Sequence, residues 1–377
     1  MGLKHNPRVI WPTAPSTPSK APDLARFIVH LENVPDTPPA DLPPQPDHRP
    51  LGPAPSGEGL AALYSMSLRT AHHLIDAASP EDQSLLLTAA RAVIAFNRDH
   101  FTLRTGRHTL KLGPRSLIMG IINVTPDSFS DGGRFLEPDR AIQHARQLAD
   151  QGADIIDVGG CSTRPGADEV PIDEELNRVM PVIEELARDR DLPISIDSTQ
   201  PPVVRAALHA GATIVNDITG LHLNPELARL AAEHHAALVV MHIQGSPRTM
   251  QKDPTYRDLM SEVCRYLRRS MHIAHQAGLT DQQIVIDPGF GFGKRLEHNL
   301  ELLARLAQLR SLGVPVLAGT SRKSMIGAVL HRPVTDRLFG TAATVALARA
   351  AGALIFRVHD VNEMDQVRRM SDATLTP

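Results

Sequence analysis

The sequence predicts an α/β fold: a (β/α)8 barrel, with an N-terminal hairpin and a proline-rich, partly helical N-terminal extension. Three observations predict it. Eight short apolar runs recur between residues 117 and 358. Segments with apolar residues at helical spacing separate them, and that alternation means parallel strands covered on both faces. The runs also end abruptly in polar or glycine-rich loops, and in a closed barrel such ends gather at one mouth. A doubly wound sheet would need a glycine-rich dinucleotide turn after the first strand, and Asn123-Val124-Thr125-Pro126 is not one.

The chain has 377 residues, enough for one large domain plus an appendage. A formal charge of −3 argues against a nucleic-acid platform. No apolar run reaches membrane-spanning length, so no membrane partner is expected. The only cysteines, Cys161 and Cys264, have no CxxC spacing, which suggests neither a disulfide framework nor a zinc site. The start lacks an apolar signal core, and Asn6 breaks the myristoylation pattern begun by Gly2. A cytoplasmic location is the expectation.

Residues 1–100 form the extension. Prolines crowd residues 7 to about 56, and such a segment is expected to be extended or partly disordered. A weak helical pattern runs from Leu60 to Leu74. Ser79-Pro80 predicts a helix start, with the helix reaching about Phe96. Residues 101–377 form the barrel. Phe101-Thr102-Leu103-Arg104 and Thr109-Leu110-Lys111-Leu112 alternate around Thr105-Gly106, a hairpin suited to plug the barrel bottom.

The repeating unit then takes over. Leu117–Ile122 is the first strand and stops at Asn123; its helix starts near Pro138. Ile155–Val158 leads to Gly159-Gly160, Ile194–Ile196 to Asp197, and Thr213–Val215 to Asn216-Asp217. Pro201-Pro202 opens one helix that Gly211 closes, and Asn224-Pro225 caps the next. Leu238–Met241 leads to His242 and a long helix from about Tyr256 to Ala277. Ile284–Ile286 ends in Asp287-Pro288-Gly289, Val316–Ala318 in Gly319-Thr320-Ser321, and Leu354–Val358 carries Arg357 toward His359.

Asp197, Asn216 and Asp287 therefore converge from three strands. A buried strand-end carboxylate needs a donor. An aminopyrimidinone ring offers adjacent N–H groups on one edge, which a carboxylate matches in a bidentate way and an Asn can extend. Read singly, each residue could instead cap a helix or bond a loop amide. Lys294, Lys323, Arg357, His359 and Arg164 add cations and glycine-rich turns, which suit an anionic or phosphorylated ligand. Asn123 and Asp131 are oxygen donors that suit Mg²⁺ beside a diphosphate. His72-His73 and His234-His235 lie in helical segments without a third ligand and are not metal candidates.

Seven motifs in order, INVTPDSFSDGG, GGCSTRPGA, ISIDS, IVNDITG, DPGFGFGK, GTSRKSMIG and RVHDV, resemble the dihydropteroate synthase family from about Phe101 onward. The resemblance implies a TIM barrel that is dimeric through its last helices. It implies the joining of 6-hydroxymethyl-7,8-dihydropterin diphosphate to 4-aminobenzoate in folate synthesis. By the same resemblance, Asp197, Asn216 and Asp287 hold the pterin edge, with Lys323 beside the ring and Arg357 stacked near it. Asn123 would bind Mg²⁺, while His359, Arg357 and Arg164 would receive the diphosphate. Thr163, Pro165, Phe292 and Ser324 would shape the aminobenzoate pocket, and the first two loops would close over the mouth. Asp287, Lys323, Asp197 and Arg164 are the expected catalytic set. Cys161 stands where the family more usually has Glu, so loop closure is expected to be the point of difference. A methyltetrahydrofolate-dependent methyltransferase would share the barrel but has no use for the Ser-Thr-Arg-Pro loop. A non-catalytic pterin-binding paralogue is the other alternative.

Overall fold

A computed structural model describes residues 7–13, 26–34, 49–54, 60–78, 85–124, 137–161, 170–189 and 191–375. It divides into two compact units. One gathers Met1–Arg98, Tyr256–Arg268 and Arg305–Gly313; the other holds Asp99–Thr255, Arg269–Ala304 and Val314–Pro377.

The first unit opens with strands β1 (Arg8–Thr13), β2 (Arg26–Val34), β3 (Arg49–Ala54) and β4 (Leu60–Ser67), followed by helices α1 (Leu68–Ala77) and α2 (Leu85–Asn97). The strands form one antiparallel sheet in the order β1-β2-β4-β3. The proline-rich stretch, expected to be extended or partly disordered, contributes β1, β2 and β3. One expectation is corrected: residues 60–67 are a strand rather than the start of a helix. The expected helix start at Ser79-Pro80 lies outside the described residues. Val29, Met66, Ala71, Ala90, Val93 and Phe96 pack into one buried cluster, with Ala307 against it. Arg8, almost wholly buried, donates to Asp258 at 2.6 Å and to Gln308 at 3.4 Å.

The second unit starts with the hairpin β5 (Phe101–Thr105) and β6 (His108–Leu112). Gly106 takes φ +54° at the turn, where a side chain would be strained and would meet Thr213. Eight parallel strands follow: β7 (Leu117–Asn123), β8 (Ile155–Gly159), β9 (Ile194–Asp197), β10 (Ile214–Asp217), β11 (Ala237–Met241), β12 (Ile284–Asp287), β13 (Leu317–Ala318) and β14 (Ile355–Val358). Their order is β12-β11-β10-β9-β8-β7-β14-β13. A single parallel bridge, Ile286 to Val316, joins the two ends and closes the ring.

Helices α3 (Glu137–Asp150), α4 (Ile172–Asp189), α5 (Pro201–His209), α6 (Glu226–Glu233), α7 (Leu259–Gln276), α8 (Leu296–Ala304), α9 (Ser324–Leu330), α10 (Leu338–Ala350) and α11 (Val361–Leu375) accompany the strands. Helix α5 begins with its two prolines because their fixed φ suits a first turn. Asn224 does not cap α6 through its side chain; it donates to the Thr199 carbonyl at 2.6 Å.

Strand alternation sorts the barrel interior into layers. Leu103 and Leu112 of the hairpin join Leu117, Met119, Ile155, Ile214, Ala237, Val239, Val285, Leu317 and Ile355 in one apolar core. The hairpin thus closes the bottom, and Thr105 Oγ1 ties it to the Thr213 carbonyl at 2.5 Å. One step further along the same strands, the inward positions turn polar.

Candidate active site

That polar layer is the site. Asp197 ends β9, Asn216 lies in β10, Asp287 ends β12 and Arg357 lies in β14. With Ile218, Met241, Phe290, Phe292, Gly319 and Lys323 they line one open cavity. The sequence had brought together Asp197, Asn216, Asp287, Lys323, Arg357 and Phe292, and the fold places all six around this hollow.

Arg357 is the hub of the floor. Its Nε donates to Asp157 Oδ2 and its Nη2 to Asp197 Oδ2, both at 2.7 Å. Asn216 Nδ2 reaches the same Asp157 carboxylate at 3.3–3.4 Å. Sequence reasoning missed Asp157, which sits inside the apolar run of β8 and is fully buried. The signal was present: an acid inside a strand buried on both faces demands a partner.

Two loops shape the rim. Asp287 Oδ1 accepts the Gly289 N–H at 2.7 Å, which opens the turn after β12. Gly289 has φ +70°, and a Cβ there would sit 2.0 Å from the His242 carbonyl oxygen. No other residue fits this approach. Lys294 had been grouped with the ligand-facing cations, and the structure corrects this. Its Nζ is buried and bonds His242 Nδ1 at 2.8 Å and the carbonyls of Gly289 and Phe292 at 3.0 and 3.1 Å. It is a strut beneath the loop. The second loop, after β13, brings Lys323 in as the residue before α9. Thr341 Oγ1 accepts the Arg322 N–H at 3.1 Å, and Arg337 donates to the Arg322 carbonyl at 2.9 Å. Arg322 itself pairs with Asp360. Lys323 Nζ lies 4.3 Å from the Phe292 ring centroid, a cation–π distance.

Ser321 Oγ lies 3.0 Å from His359 Nδ1 and accepts the His359 backbone N–H at 3.2 Å. Ser324 is exposed at the first turn of α9, outside the cavity lining. Asn123 ends β7 opposite Gly159 and is half-buried. Thr163, Arg164, Pro165 and Asp131 lie outside the described residues. Cys161 is half-buried, and burial first, then Glu175, holds its thiol well above the ordinary range.

The electrostatics follow from burial. Asp197 is pushed up to about 7 by burial, with Arg357 opposing and Asp157 and Glu175 adding to it. Burial also raises Asp287, against the Gly289 N–H, Lys323 and Arg357. Lys323 is lowered to about 8 by burial and Arg357, against Asp287 and Asp197. His359 is lowered to about 3 by burial, Arg357 and Arg322, so it is a neutral imidazole near pH 7. The cavity therefore offers carboxylates for a ring edge bearing N–H groups, a carboxamide beside them and two cations.

Comparison with known proteins agrees. Residues 119–359 match the family described as pterin binding enzyme. The dihydropteroate synthase of Synechocystis sp. is 47% identical over 272 residues, covering 72% of this chain and 94% of that protein. A crystal structure of Yersinia pestis dihydropteroate synthase with a sulfonamide drug complex superposes with a TM-score of 0.70 at 43% identity, covering 74% and 100% of the two chains. Dihydropteroate synthase from Xanthomonas albilineans in complex with 7,8-dihydropteroate gives 0.66 at 41% identity, covering 73% and 99%.

Proposed function

This chain belongs to the dihydropteroate synthase family, and on that premise we propose how its residues run the reaction. The enzyme condenses 6-hydroxymethyl-7,8-dihydropterin diphosphate with 4-aminobenzoate to 7,8-dihydropteroate and diphosphate, a step of folate synthesis. One observation supports the residue roles above all others: Asp197, Asn216, Asp287 and Arg357, from four strands, and Lys323, from the loop after β13, line one cavity.

Asp287, with Oδ1 held by Gly289, turns its other oxygen to the N–H edge of the pterin. Asn216 and Asp197 extend that edge. Lys323 lies beside the ring, and Arg357 covers it while facing the departing diphosphate. Ser321 accepts from the His359 backbone, which leaves its hydroxyl hydrogen for Nδ1. The Nε2–H of neutral His359 then donates to the diphosphate. Arg164 completes that anion site. Asn123 offers a carboxamide oxygen at the mouth, a donor that fits Mg²⁺, since Mg²⁺ takes its other ligands from phosphate oxygens and water. Mg²⁺ supplies neutralisation of the leaving charge when bound.

The chemistry is dissociative. The C–O bond to diphosphate breaks first, leaving a methylene cation delocalised into the pterin ring. The buried carboxylates of Asp287 and Asp197 favour that positive charge. The aniline nitrogen, oriented by Thr163, Pro165, Phe292 and Ser324, attacks the methylene carbon and then loses a proton. No side-chain nucleophile is required. The protein acts in the cytoplasm as a homodimer. Exposed Phe339, Leu347 and Met370 on α10 and α11 support a contact through the last helices.

Product formation from the pterin diphosphate, 4-aminobenzoate and Mg²⁺ tests the assignment. Asp287→Asn and Lys323→Ala should each lower turnover roughly a hundredfold or more, with an unchanged circular dichroism spectrum. Near-wild-type turnover in either variant would reject that residue's role.

A further inference from the structure

Asp157 belongs to no motif expected to touch substrate, and it does not line the cavity. It is nevertheless fully buried within β8, every residue of which is buried. A carboxylate in such a place is costly without strong donors. Its donors are two of the groups that face the ligand: Arg357 Nε at 2.7 Å and, more weakly, Asn216 Nδ2 at 3.3 Å.

We propose that Asp157 is a positioning residue for the pterin site, fixing the plane of the Arg357 guanidinium and, through it, the free oxygen of Asp197. The assignment rests on the functional reading above.

A guanidinium is a rigid planar fork, so bonds at two of its nitrogens fix its orientation. Asp157 takes Nε from β8, and Asp197 takes Nη2 from β9. Nη1 is left for the ligand, since it has no bond to the described residues. Because the Asp197 bond uses only Oδ2, Oδ1 also remains available. Without the Asp157 carboxylate, Asp197 is the one carboxylate left in hydrogen-bond contact with Arg357 among the described residues. The favoured arrangement then is the bidentate pair with Asp197. That rotation would occupy both Asp197 oxygens and turn the guanidinium edge away from the cavity. Asp157 thus keeps Arg357 and Asp197 from satisfying each other at the ligand's expense.

Steady-state kinetics of the full-length Asp157→Asn variant test this, with a thermal melt alongside. The expected result is a KM for the pterin diphosphate raised roughly ten- to hundredfold, with an unchanged KM for 4-aminobenzoate and a retained cooperative melt. A folded variant with wild-type KM for the pterin diphosphate would overturn the proposal. If Asp157→Asn does not fold, the double variant Asp157→Asn/Arg357→Met removes the charge together with its partner. Equality of its pterin KM with that of Arg357→Met alone supports action through Arg357, and a further tenfold loss overturns it. Wild-type product formation, measured first, separates the two ideas. Its absence sinks the functional reading and the inference together, whereas an active wild type with an indifferent Asp157→Asn sinks the inference alone.

Discussion

Lys294 shows how a residue type can mislead about its task. An ammonium in a glycine-rich loop at a barrel mouth reads as a ligand for anions. Here it is lowered to about 7 by burial, with Lys323 adding and Asp287 opposing, and it spends its hydrogens inside the loop. Lys294→Met keeps the stem and withdraws the shared donor. The variant should lose about 1–3 kcal/mol in denaturant unfolding near pH 9. The sign of the pH effect is fixed by the lowered value. From about 7 to 10.5 the unfolded chain holds this proton more than the folded one, so its contribution to stability rises with pH. The stability gap between wild type and variant should therefore widen over that window. A gap that narrowed would show Lys294 charged in the folded protein.

Among the elements, β1 and β3 show how a proline-rich stretch enters a sheet. Pro12, Pro50 and Pro53 belong to a segment expected to be extended or partly disordered. All three lie in β1 and β3, the outer strands of the sheet, where a missing N–H is tolerated. The inner strands β2 and β4 contain none. In the barrel the strands were legible because burial on both faces leaves near-continuous apolar runs. Asp197, Asn216 and Asp287 were legible because each ends such a run. Asp157 was not, because it interrupts one, and its partners come from strands distant in sequence. Lys294 and Asn224 went astray for a related reason: a sequence gives a side chain's chemistry but not its direction.

At the start of α7, Asp258 pairs with Arg8 of β1 at 2.6 Å. Burial alone would raise Asp258, but Arg8 and the Ser261 hydroxyl and N–H hold it down to about 2. A lowered carboxylate contributes stability that is present above about 4 and lost as pH falls toward 2. Half exposure of Asp258 makes the effect modest. Asp258→Asn should make protease cleavage within β1 faster than in wild type at pH 7. At pH 2 the two proteins should be cut alike. Equal rates at pH 7 would show that the Arg8 pair does not anchor β1.

For the whole molecule, the two units divide the labour. Every cavity residue belongs to the unit that starts at Asp99, while Val29, Met66, Phe96 and Ala307 share a core in the other. Deleting residues 1–98 should therefore lower the melting temperature and promote aggregation, yet leave turnover per folded molecule intact. An unchanged melt would mark the extension as dispensable for stability, and lost turnover would tie it to catalysis.

The lone Ile286–Val316 bridge has its own implication. Other neighbouring strands share at least two paired positions, and this seam shares one. It runs between Asp287 on one bank and Gly319 with Lys323 on the other. The wall of the cylinder is thus thinnest in stitching between groups that line the same cavity. Small breathing there costs few amide bonds while changing the width of the cavity, and hydrogen–deuterium exchange would register it first at Ile286.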